Sequence, residues 1–146
     1  MEKEKSPDQE LLNDVFRNAE MGRDSIMHVI KLTDDPKFRR SLETQLSEYQ
    51  KVYDSADSML QERGGKPEDV PAMSKMMSYV MSSMKTINDN SPSCIAEMMI
   101  QGSTMGVTKI TKRINEYKGH DERVRDVANK LLHTEQVNIE EMKKYL

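Results

Sequence analysis

Glu135 is the residue of this chain best placed to do chemistry. On one reading of the apolar spacing it lies between Leu131 and Asn138, and on the other between Leu132 and Ile139; either way it points inward. A carboxylate taken out of water is costly unless it is paired, hydrogen-bonded or metal-bound. Asn138 lies one turn further along the same face. Gln45 occupies an inward position in a second helical stretch, with Glu48 one turn on. Asn18 and Glu20 flank Ala19 in a third, and Glu97 and Gln101 start a polar stripe that continues through Thr104 and Thr108. Polar groups at such positions either form a hydrogen-bonded layer that sets helix register or bind a metal or small ligand. Lys51, close to Glu48, is a candidate to neutralise its carboxylate, which favours the layer.

The methionines are the second candidate set. Met73, Met76, Met77, Met81 and Met84 crowd one segment, and Met98, Met99 and Met105 follow. Thioethers are soft ligands suited to Cu(I), with Cys94 as a further donor. Methionine is also an adaptable core filler and a feature of adaptable docking surfaces. His28, His120 and His133 are isolated along the chain, and no Ser-His-Asp arrangement supports nucleophilic catalysis. Cys94 falls in the first turn of a helix, where the dipole favours a thiolate; a buried, inert thiol is the alternative. No glycine loop of the phosphate-binding kind is present.

Four stretches must position these groups, and each carries apolar residues at alternating steps of three and four. They run over about 8–32, 36–62, 92–117 and 121–145. Each is about 38 Å long at 1.5 Å per residue. The first reads Leu12, Val15, Ala19, Gly22, Ile26, Val29. The second reads Phe38, Leu42, Gln45, Tyr49, Val52, Ala56, Met59. The third reads Ile95, Met99, Gly102, Gly106, Ile110, Ile114, Tyr117, and the fourth Val124, Ala128, Leu131, Glu135, Asn138, Met142, Tyr145. Asp35-Pro36 and Ser91-Pro92 are N-cap and first-position pairs. Gly64, Gly65 and Gly119 are stops. Gly22, Gly102 and Gly106 fall inside helices, where glycine costs about 1 kcal/mol against alanine, so close backbone packing is expected at each.

Residues 65–90 link the two hairpins, with a short amphipathic helix over about 71–87 that places Met73, Met77, Val80, Met84 and Ile87 on one face. The link is long enough to carry the chain from one end of the bundle to the other. The alternative is a simple up-down bundle with the Met-rich helix capping one end.

Composition agrees with a single all-α domain over 1–146. Charged residues make up 32%, tryptophan is absent and aromatics are scarce, which favours a helical bundle over a sheet protein. A net charge of −3 argues against nucleic acid, which needs a basic footprint. The single cysteine cannot form an internal disulfide, which points to a reducing cytoplasm. The charged start lacks the apolar core of a signal peptide, and no apolar run approaches the roughly 20 residues a membrane helix needs.

Two hairpins, a long crossover and inward carboxylates at mid-helix resemble the ferritin-like superfamily. That resemblance implies a di-metal centre of iron or manganese, with Glu20, Glu48, Glu97 and Glu135 as ligands and Gln101 or Asn138 assisting. The chain departs from the pattern: Lys51 and Asn138 stand where histidines should follow Glu48 and Glu135, and mid-helix three offers Thr104 and Met105. The segments Ala96-Glu97-Met98-Met99-Ile100-Gln101-Gly102-Ser103-Thr104-Met105-Gly106 and Leu131-Leu132-His133-Thr134-Glu135 are similar to a family of small bacterial helical proteins, which implies a fold and no activity. The expectation is a ferritin-like four-helix bundle that is non-catalytic and acts in protein interaction or self-association, the alternatives being an iron or manganese site on the core carboxylates and a methionine-based copper binder.

Overall fold

The computed structural model describes residues 6–64 and 90–146. Among them are four helices and no strand: α1 (Pro7–Ile30), α2 (Pro36–Glu62), α3 (Pro92–Glu116) and α4 (Glu122–Lys143). The expected crossover helix, with Met73, Met76, Met77, Met81 and Met84, lies outside the described residues.

Local chemistry accounts for the helix boundaries. Ser6 accepts from the Gln9 amide while the Gln9 side chain accepts from the Ser6 amide, a capping box that starts α1. Asp35 and Ser91 cap α2 and α3, each followed by proline at the first helical position. Asp121 caps α4 by accepting from the Arg123 amide. Past the end of α2, Gly64 takes φ +70°, the left-handed conformation that favours glycine.

The helices pack as two hairpins, α1 with α2 and α3 with α4, joined through the α2–α4 and α1–α3 contacts. Their directions follow from the contacts at the two ends. At one end the Gln9 amide donates to the Arg63 carbonyl at 3.3 Å, Arg63 pairs with Asp121, and the Tyr117 hydroxyl donates to Asp8. At the other, the Ser41 and Tyr145 hydroxyls are 2.6 Å apart and the Phe38 and Tyr145 rings meet edge-on with centroids 4.8 Å apart. Neighbouring helices are therefore antiparallel. The chain leaves α2 at one end of the bundle and enters α3 at the other. None of the described helices is long and apolar enough to cross a membrane.

The core follows the expected seams, including Leu12, Val15, Ile26, Phe38, Leu42, Ile110 and Leu131, all fully buried. Two positions differ. On α2 the seam ends on Leu60, which is fully buried, rather than on Met59, which is half-buried. On α3 the buried position is Ser103 rather than Gly102. Both differences have one cause: a straight helix of 3.6 residues per turn drifts away from a strict heptad step. Close packing at Gly102 is thereby corrected, since a Cβ built there meets nothing within 4 Å. Gly102→Ala should stabilise the bundle by about 0.5–1 kcal/mol through helix propensity alone, read as a higher urea midpoint at unchanged slope.

Candidate functional site: a polar layer across the core

All four helices contribute to one level near the middle of the bundle. Tyr49 of α2 is almost completely buried, and its hydroxyl donates to Oε1 of Glu135 on α4. The Tyr49 oxygen is 3.4 Å from Ser103 Oγ on α3. Asn138 Nδ2 donates to that same Oγ at 2.8 Å. Because the Tyr49 proton is committed to Glu135, Ser103 must be the donor to Tyr49. The result is a chain of donors running from Asn138 through Ser103 and Tyr49 to the carboxyl of Glu135.

Two glycines make the room. An ideal Cβ on Gly22 of α1 would sit 2.4 Å from Cε1 of the Tyr49 ring, and one on Gly106 of α3 would sit 1.9 Å from Oε2 of Glu135. Gly22 thus seats the tyrosine and Gly106 seats the carboxyl. Further polar atoms are buried nearby along the same helices. Gln45 Oε1, Asn138 Oδ1 and both polar side-chain atoms of Asn18 have no hydrogen-bond partner among the described residues.

Burial sets the electrostatics. It pushes the Glu135 carboxyl up to about 8, with donation from Tyr49 opposing the rise. Burial first, and then the neighbouring Glu135, raise the Tyr49 hydroxyl well above its ordinary range.

The remaining expected site residues are dispersed. Glu20 is half-buried on α1. Glu48 is partly exposed and pairs with Lys51 at 3.0 Å, as the sequence suggested. Glu97 and Gln101 are exposed on α3. Thr104 and Thr108 are exposed and turn their hydroxyls back to the carbonyls of Ile100 and Thr104. Among the described residues, no three acids, histidines or cysteines gather closely enough to hold a metal ion. Of the described methionines on α3, Met99 is buried, Met98 half-buried and Met105 exposed, so they do not converge on a shared site. His120 and His133 are exposed, and Cys94 is partly buried.

Sequence reasoning missed Tyr49 and Ser103 as members of the layer. The available signal was chemical: a tyrosine at a seam position needs a partner for its hydroxyl.

A shallow groove of about 310 Å³ lies where the start of α1 meets the end of α3, lined by Glu10, Asp14, Arg113, Glu116 and Lys118 among others. Its charges satisfy one another. Arg113 pairs with Asp14 at 3.3 Å and with Glu116 at 3.6 Å. Burial nevertheless raises the Asp14 carboxyl, with Arg113, Lys109 and Arg17 opposing.

No protein-family model matches the chain, and no curated protein matches it. One solved structure is similar, "YcfI, a putative structural protein from Rhodopseudomonas palustris", with 19% identity, a TM-score of 0.73, and coverage of 93% of this chain and 90% of that chain. The two share a fold. At that identity the likeness extends to the fold alone.

Proposed function

We propose that this chain is a ferritin-like bundle without a catalytic role, acting in protein interaction or assembly, and that its central polar layer is structural. The observation that carries this reading is the engagement of Glu135. The acid at the middle of the core is held by Tyr49 within a layer drawn from all four helices. Glu48 is occupied by Lys51, and Glu97 faces solvent. A ferritin-like arrangement is supported by the antiparallel neighbours and by the passage of the chain from the end of α2 to the opposite end of the bundle. The name of the similar structure, a putative structural protein, agrees with a role in assembly.

A second reading is favoured by the unpartnered oxygens of Gln45 and Asn138 beside Glu135. Hard oxygen donors at one level suit iron or manganese, with Glu20, Glu48, Glu97 and Gln101 as the wider set. Sedimentation equilibrium with elemental mass spectrometry on the full chain separates the two. A stable dimer or larger assembly without stoichiometric metal is expected. A monomer at every concentration that carries stoichiometric iron or manganese would replace the first reading with the second.

A further inference from the structure

We propose that the joint between the two hairpins is proton-sensitive: it is closed while Glu135 carries its proton, and loss of that proton loosens α2 from α4. The inference does not depend on whether the chain assembles.

Four observations carry it. First, Glu135 sits on the seam where the two hairpins meet: its carboxyl belongs to α4, while Tyr49, which donates to it, belongs to α2. Charge appearing here is charge appearing between the hairpins. Second, no cation faces it. From α2 the facing titratable group is Tyr49. From α3 come Ser103 and the bare Gly106, and from α1 comes Gly22, against the Tyr49 ring. On α4 itself, Asn138 lies one turn on. None of these is positively charged, and no lysine, arginine or histidine acts on the carboxyl. An ionised Glu135 would have only neutral donors in a site that is 4% exposed.

Third, the layer is short of donors. Gln45 Oε1 and Asn138 Oδ1 are buried acceptors without one. Gln45 lies one turn from Tyr49 and Asn138 one turn from Glu135, both toward the end where Ser41 meets Tyr145. A protonated carboxyl adds a donor to this level; a carboxylate adds only acceptors. Fourth, the carboxyl cannot readily turn away, because Oε2 occupies the space left by Gly106 and Oε1 is held by Tyr49.

The direction of the effect follows from linkage. The folded chain keeps a proton that the unfolded chain releases at an ordinary carboxyl value, so raising the pH favours unfolding. The stabilisation is complete below the unfolded value of 4.5 and is lost as pH rises to about 8. Across that window the unfolding constant should climb by up to roughly tenfold per pH unit, and then level off with respect to this group.

The test is urea unfolding of the full chain from about pH 5 to about pH 9, for wild type and for Glu135→Gln, which keeps the shape and stays neutral. The wild-type unfolding constant should rise relative to that of the variant across the window. Parallel curves would overturn the proposal. Infrared spectra of the wild-type chain carrying isotope-labelled glutamate give a second readout that needs no variant. A protonated carboxyl band at pH 6 that fades as pH passes 8 is expected. Should Glu135→Gln fail to fold, that band decides alone, and its absence at pH 6 overturns the proposal.

Discussion

Replacing Tyr49 with alanine is expected to cost about 3–5 kcal/mol, the range for removing a large buried aromatic side chain. Tyr49 is 1% exposed and touches three of the layer's other contributors: Gly22 beside its ring, and Ser103 and Glu135 at its hydroxyl. Tyr49→Phe should cost less, about 1–3 kcal/mol, since it keeps the ring and removes only the hydroxyl on which Glu135 and Ser103 depend. Gly22→Ala isolates the ring contact from the other side. Alanine is the better helix former by about 1 kcal/mol, yet its Cβ would stand 2.4 Å from a rigid ring carbon. The clash wins, because a buried ring cannot rotate its edge away as a flexible chain end can. A net loss of about 1–3 kcal/mol is expected. On the Tyr49→Ala background the same substitution should cost nothing or stabilise. Urea melts of the four chains in a double-mutant cycle give the coupling, and additivity within about 0.5 kcal/mol would show that Gly22 and Tyr49 do not meet.

Much of the fold was legible because amphipathic spacing, caps and loop lengths all act locally. Asp35-Pro36 and Ser91-Pro92 mark helix starts wherever they occur, and they do so here. Inward positions such as Glu135 and Asn138 follow from the neighbours on their own helix. The layer was less legible because it is made between helices. The heptad step on α3 puts Gly102 and Gly106 on one seam, but the drift of a straight helix turns Gly102 to open space and brings Ser103 inward. Nothing along α4 alone indicates that the partner of Glu135 is a tyrosine 86 residues earlier. Mid-helix position was also a poor guide to Glu48 and Glu97. One pairs with Lys51 at the surface and the other faces solvent, since the rotation of a residue about its helix, rather than its height along it, decides burial.

Gly106 and Glu135 form a second such pair, with a different sign structure. Gly106→Ala should destabilise by about 1–3 kcal/mol, because its Cβ would lie 1.9 Å from Oε2 and 2.8 Å from Cδ of a carboxyl already held by Tyr49. Glu135→Ala should cost about 2–4 kcal/mol at pH 6, through the cavity it opens and the Tyr49 hydroxyl it leaves without an acceptor. The two losses should not add. With the carboxyl gone, the alanine methyl at position 106 enters vacated space and restores helix propensity, so the double variant should be at least as stable as Glu135→Ala alone. The cost of Glu135→Ala should also shrink as pH rises to about 8, because the wild type then carries an unpaired buried charge that the variant lacks. A merely space-filling glutamate would show the rescue without that pH dependence, whereas a surface glutamate would show neither. Unfolding free energies of the four chains at pH 6 and above pH 8 therefore distinguish a packed side chain from a packed acid.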